Sequence, residues 1–221
     1  SIDYSKGDIY NTFSSLEPRF NLRYAFNENN SLKMSYNRTA QYLQMASNST
    51  ATFPLDMWFM SNPNIKPQRA DQVAAGYFKN FLDNSIEASL EFFYKKTYHA
   101  IDFKDHAVLA PQQYLEGELR IGNARSYGAE FLLRKQSGKL TGWISYAFIR
   151  TFRHIKAINN GKEFPPPYDK PHNISVVANY EISKRFDAAI NWVYSTAIPV
   201  SVPTQGSYYG NTWVPSYSER G

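Results

Sequence analysis

From residue 16 to residue 26 the chain alternates: Phe20, Leu22, Tyr24 and Phe26 are apolar, while Arg19, Asn21 and Arg23 between them are polar. Side chains of a strand point alternately to its two faces, so this stretch reads as a strand with one greasy face and one charged face. A polar turn at 27–30 leads into a second alternating arm at 31–43, which predicts a hairpin. Short turns at 82–84, 136–138 and 183–185 repeat the arrangement at roughly 50-residue intervals. Arms at 72–81, 127–135 and 173–182 precede them. After them Ile86, Ala88, Leu90, Phe92 and Tyr94 alternate with Glu87, Ser89 and Glu91, and Leu140, Gly142, Ile144, Tyr146 and Phe148 with Thr141, Trp143 and Ser145. Phe186, Ala188, Ile190, Trp192 and Tyr194 complete the series. About eight strands follow from this template.

The other ends of these arms are joined by long segments, 44–71, 99–124, 154–171 and 195–221, rich in Pro, Asn, Ser and aromatics. Loops of that length are uncommon in compact soluble domains and are usually functional. Short turns on one side and long loops on the other are the asymmetry of an antiparallel transmembrane β-barrel, whose short turns face the periplasm. The expected fold is therefore all-β. A soluble carbohydrate-binding β-sandwich, with its aromatics buried between two sheets, is the alternative. Trp143 lies beside the 136–138 turn, and Phe26 and Phe81 abut two others, as an interfacial girdle would require. Alternation, however, puts Trp143 on the face opposite Leu140.

Composition narrows the choice. Aromatics are 16% of the 221 residues, with 17 Tyr, 15 Phe and 4 Trp. Yet mean hydropathy is −0.51, and no apolar run approaches the roughly 20 residues of a membrane helix. Strands apolar on one face only reconcile the two. Net charge is +5 with a pI near 9.2, but the basic residues are scattered rather than striped, so no nucleic-acid partner is expected. Cysteine is absent, which removes disulfides and thiolate chemistry. Ser1-Ile2-Asp3-Tyr4 is neither a basic leader nor the start of an apolar core, so the chain is expected to begin inside a larger protein or after a cut.

Five groups of residues carry a more specific signal. Leu16-Glu17-Pro18-Arg19 opens the first strand and Ser35-Tyr36-Asn37-Arg38 lies in the second. Asn64-Ile65-Lys66-Pro67-Gln68 leads through Ala70-Asp71-Gln72 into the third. Ala124-Arg125-Ser126-Tyr127-Gly128-Ala129-Glu130 precedes Gly142-Trp143-Ile144-Ser145-Tyr146, and Tyr168-Asp169-Lys170-Pro171-His172-Asn173 opens a later strand. In this order they resemble the C-terminal barrel region of TonB-dependent outer-membrane receptors of the Bacteroidetes type, over about residues 9–220. The resemblance implies a bacterial outer-membrane location and a barrel of about 22 strands, of which this chain supplies an incomplete segment. It implies energy-coupled uptake of a scarce nutrient such as an iron chelate, corrinoid or oligosaccharide. The implied partners are outer-membrane lipid, an N-terminal plug domain and TonB of the energy-coupling complex, with room for a surface lipoprotein. Residues 1–221 then form one partial β-barrel domain, the plug and the final strands lying outside it. A passive porin or an adhesion or assembly barrel is the rival function.

Catalytic signatures such as Gly-x-Ser-x-Gly, a phosphate loop or paired carboxylates do not occur, so neither an enzyme nor a cofactor is expected. His99 and His106 share a predicted loop without zinc-ligand spacing, and no metal is expected. Binding is the better expectation. Phe53, Trp58, Phe59 and Asn62 form an aromatic-plus-amide set able to stack on a sugar ring or planar chelate, and Tyr208, Tyr209, Trp213 and Tyr217 form a second. Packing of loop aromatics against one another is the plainer use of both. Arg23, Lys33, Glu91, Glu130 and Arg134 occupy polar positions and are expected to face the lumen, lining a channel or meeting a plug, and to pair among themselves.

Overall fold

The computed structural model describes residues 12–47, 56–105, 107, 115–199, 203–210 and 212–217, with backbone alone at 47, 56, 203, 204, 209 and 212–217. The first alternating arm and its partner are strands β1 (Arg19–Asn27) and β2 (Asn30–Gln41). A small hairpin, β3 (Leu43–Ser47) and β4 (Asp56–Met60), follows. Then come β5 (Gln68–Phe81), β6 (Ile86–Phe103), β7 (Leu119–Lys135), β8 (Leu140–His154), β9 (His172–Ser183) and β10 (Phe186–Ser195), and a last hairpin of β11 (Pro203–Tyr209) and β12 (Thr212–Tyr217). One eight-stranded sheet runs in the order β1-β2-β5-β6-β7-β8-β9-β10, each pair antiparallel. The sheet is open, with β1 and β10 at its edges.

Register converts the alternation into two continuous surfaces. Residues directly opposite one another share a face, so Leu22, Met34, Ala75, Phe92, Ala129, Phe148 and His172 form one row across the sheet. Displaced by one residue, Arg23, Lys33, Gly76, Glu91, Glu130, Ala147 and Asn173 form a row on the opposite face. The first surface is apolar and uncovered: Phe20 is 62% exposed, Phe92 54%, Ile190 61% and Trp192 50%. A soluble sandwich would cover such a face with a second sheet; none packs on it among the described residues. Trp143 stands opposite Arg134 and Val177, on the polar face, and so is no part of a girdle on the apolar one.

The buried cores are small and lie away from the middle of the sheet. Ala46, Phe59 and Ile65 pack on Ile101, Phe103 and Leu119, where the β3–β4 hairpin meets the ends of β6 and β7. Ile155, Ile158 and Phe164 form a second cluster in the 155–171 connection. Both belong to the long-loop end, so these segments are ordered by their own apolar contacts. This corrects the expected loop limits. The 44–71 segment contains a hairpin and the start of β5. The 99–124 segment contains the end of β6, which continues past a bulge at His99 (φ 58°), and the start of β7.

The opposite rim is made of tight turns. Asn27 Oδ1 accepts from Asn29 N at 3.0 Å and from Asn30 Nδ2 at 2.7 Å, the local side-chain closure that favours Asn in turns. Lys135 Nζ donates to the carbonyls of Ser137 and Leu140, closing the turn around Gly138 (φ 91°). Neighbouring turns are tied together by Asn80 N to Asn29 O, Gln136 N to Ser85 O and the Ser85–Ser137 hydroxyl pair.

Candidate functional site

Two regions offer unsatisfied chemistry: the polar face of the sheet and the long-loop end. The register puts all five singled-out charges on the polar face, four of them in one row and Arg134 four residues further along β7. Arg23 stands opposite Lys33, Glu91 opposite Glu130, and Arg134 opposite Glu87. Like charges facing one another across strands destabilise a sheet, and among the described residues no ion pair joins any of the five. The mutual pairing expected from the sequence is therefore not formed. Lys33 Nζ instead sits 3.8 Å from the centroid of the Phe78 ring. A hollow of about 270 Å³ lies between Arg23, Lys33 and Glu91. Gly76 keeps it open, because a Cβ there would fall 2.6 Å from Glu91 Cγ. The face thus presents two cations and two carboxylates on either side of a glycine, a surface suited to a charged partner.

The β3–β4 hairpin separates the loop residues that looked alike in sequence. Phe59 is buried and meets Phe103 edge-on, with ring centroids 6.1 Å apart. Asn62 donates to Glu116 Oε1 at 2.8 Å, and its own Oδ1 accepts from the backbone of Asn64 and Ile65. These two residues build the loop. Trp58 points the other way, 60% exposed, and its register partner is Met45, with Leu43 opposite Met60 one step along. Leu43, Met45, Trp58 and Met60 are all exposed and make an apolar stripe that the sequence reading missed apart from Trp58; the alternation of 43–47 was its only signal. Tyr208 in β11 is exposed as well. Tyr209 and Trp213 lie on the backbone of the last hairpin, Trp213 opposite Tyr208, but their side chains are outside the described residues. Phe53 and His106 are also outside them. His99 belongs to the β6 bulge rather than to a loop, its Nδ1 3.1 Å from the Pro67 carbonyl.

The 155–171 connection is pinned by charge. β8 runs past the start of β9, since Phe148 is already opposite His172, and this leaves Thr151 N without a strand partner on that side. Asp169 accepts from it at 2.7 Å and pairs with Arg150 at 3.1 Å. Arg153 pairs with buried Asp102 at 2.7 Å and exchanges two backbone hydrogen bonds with Phe164. Asp169 is the acidic residue of the Tyr168–Asn173 motif, and its work is to cap a strand edge.

Residues 2–219 match the family described as TonB dependent receptor-like, β-barrel. No curated protein matches at a significant level. Among solved structures, the chain is similar to FpvA of P. aeruginosa bound to a heterologous pyoverdine with iron, at 13% identity and a TM-score of 0.60, covering 92% of this chain and 25% of that one. It is similar also to FpvAI in complex with pyocin S2, at 13% identity and a TM-score of 0.57, covering 92% and 26%. The chain spans about a quarter of the length of these structures, and at this identity they share its fold.

Proposed function

The chain belongs to the TonB-dependent receptor-like β-barrel family, and from that premise we propose that it forms part of the wall of an outer-membrane transporter that takes up a scarce nutrient by energy coupling. The carrying observation is the two-faced sheet: one face is apolar and uncovered, the other lined with unpaired charge. Lipid suits the first face. The second is the lumen side, where Arg23, Lys33, Glu91, Glu130 and Arg134 meet an N-terminal plug whose movement is driven by TonB. Open strand edges are not tolerated in a bilayer, so further strands close the barrel beyond β1 and β10. The order of short motifs supports the C-terminal part of a Bacteroidetes-type barrel. Cargo meets the long-loop end, where the Leu43–Met45–Trp58–Met60 stripe and Tyr208 offer apolar surface for stacking. FpvA is bound to a pyoverdine–iron complex in its structure, which makes an iron chelate the first class to test, ahead of a corrinoid or an oligosaccharide.

The experiment is a pair of deletions, of this gene and of the energy-coupling protein, with growth followed on iron chelates, corrinoids and oligosaccharides as limiting nutrients. Both deletions are expected to remove growth on the same class. Growth that needs this protein but survives loss of coupling would identify a passive channel and overturn the proposal.

A further inference from the structure

On the apolar face, the character of the surface changes within two residues of the Tyr94 row. Tyr94 is opposite Val73 and Tyr127; two residues on, Lys96 is opposite Asp71 and Arg125. A hollow of about 590 Å³ opens here, lined by Tyr94, Lys96, Arg120, Arg125, Lys156 and Glu163 among others. Lys96, Arg125 and Lys156 thus gather around one carboxylate, while Arg120, opposite Asp102, belongs by alternation to the other face of β7. Glu163 pairs with Arg125 at 2.6 Å, and the Arg120 guanidinium is anchored by the carbonyls of Gly117 and Leu119. Among the described residues neither Lys96 nor Lys156 has a carboxylate at ion-pair distance. Aromatic rings hold the cations at this level, Lys96 over Tyr98 and Arg125 over Phe152.

The hollow shares one wall residue, Tyr94, with an apolar trough. Tyr94 also lines a depression of about 540 Å³ bounded by Phe20, Met34, Tyr36, Val73 and Phe92. A cationic basin at the edge of an apolar band, sharing a wall with an apolar trough, matches an amphiphile with an anionic head and hydrocarbon chains. We propose that this face binds a phosphorylated lipid of the outer leaflet: the phosphate lies among Lys96, Arg125 and Lys156, and an acyl chain runs along the trough beyond Tyr94. Phosphate suits the basin because it accepts several charge-assisted hydrogen bonds at once, including a fork from Arg, and basic pockets at a membrane surface hold such headgroups. The inference rests on the outer-membrane reading above, which turns this face to lipid.

The test uses the full-length receptor isolated from outer membranes, delipidated, then exposed to micelles of the phosphorylated outer-leaflet glycolipid, to phosphatidylcholine micelles, or to inorganic phosphate. Retained lipid is counted by native mass spectrometry. Lys96→Gln combined with Lys156→Gln is expected to lower glycolipid retention by roughly tenfold or more, and Glu163→Gln to raise it, while Lys139→Gln with Lys184→Gln at the short-turn rim leaves it unchanged. Equal retention by the wild type and the Lys96/Lys156 variant overturns the site. Blocking of the glycolipid by millimolar inorganic phosphate with no requirement for acyl chains overturns the lipid as its occupant. A receptor absent from the outer-membrane fraction defeats the transporter reading as well, whereas a receptor that inserts and takes up cargo yet retains no glycolipid defeats the headgroup site alone.

Discussion

Asp169 shows how much one side chain can fix. Its carboxylate is 3% exposed and satisfies Thr151 N–H while pairing with Arg150. Truncation to alanine leaves a buried donor and a cation without their partner, a loss of about 1–3 kcal/mol. Asp169→Ala is therefore expected to open the 155–171 connection to protease added to intact cells, and Asp169→Asn to do so less. Uncut cells carrying the alanine variant would show that the hydrophobic cluster of Ile155, Ile158 and Phe164 holds the segment alone. Leu82 works against stability. It sits at φ 51°, where a side chain costs about 1–2 kcal/mol, and at 72% exposure it has little packing to lose. Leu82→Gly is expected to gain about 0.5–1 kcal/mol after the added freedom of the unfolded chain is subtracted, read as a higher urea midpoint of the full-length barrel in micelles. Trp58 and Phe59 should part company in the same way that their environments do. Trp58→Ala is expected to weaken cargo binding by up to about tenfold with folding intact. Phe59→Ala removes a core ring at about 3 kcal/mol and should expose the hairpin to proteolysis.

At the scale of elements, the decisive property is which face each strand position occupies. Leu90 lies in the row of Tyr24, Leu32, Tyr77, Phe131, Tyr146 and Ile174, near the middle of the apolar band. Leu90→Arg is expected to cost about 2–4 kcal/mol, as for a cation at mid-bilayer. Glu91→Arg, one residue away, faces Glu130 and should be close to neutral or favourable, because it replaces a like-charge pair by an opposite one. Folded fractions from heat-modifiable gel mobility measure both, and the reverse order would mean that the two faces are exchanged. This part of the fold was legible because a period of two determines the face without any tertiary information. The eight main strands and the polar positions of Arg23, Lys33, Glu91, Glu130 and Arg134 follow from it. The period fails at His99, where a left-handed residue inserts a bulge and what reads as the start of a loop is still strand. It is weak over β3 and β4, which have only five residues each. Trp58 and Phe59 cannot be told apart before it is known which side of that hairpin meets Phe103. Asp169 is the opposite case: its motif is visible, but its role depends on β8 outrunning β9, which is a matter of register between strands.

For the whole molecule, charges on the apolar face mark where the lipid should stop. Lys79 and Lys135 carry that face to the short-turn rim, and Arg38, Asp71, Lys96 and Arg125 end it toward the long loops. At about 3.3 Å per residue, β7 from Lys135 to Arg125 is roughly 33 Å long. Tilted by about 40°, it rises about 25 Å, the height of the apolar band of an outer-membrane barrel. The same calculation on β5, from Lys79 to Asp71, gives about 20 Å, so the band narrows across the sheet. In the proposed orientation the Arg38–Asp71 pair at 2.6 Å lies at the outer water interface rather than in hydrocarbon, where two ions would be costly to desolvate. These assignments fix an orientation that single cysteines can read, because the chain has none of its own. In intact cells Arg125→Cys is expected to react with a membrane-impermeant thiol reagent, Phe131→Cys to resist it, and Lys135→Cys to react only after the outer membrane is opened. At Phe131 a spin label should be relaxed by oxygen more than by a water-soluble paramagnet, as the proposed lipid-facing position of its side chain requires. Labelling of Lys135→Cys from outside with Arg125→Cys protected would turn the barrel upside down. It would move the Trp58 stripe to the periplasm, and with it the place where cargo first meets the receptor.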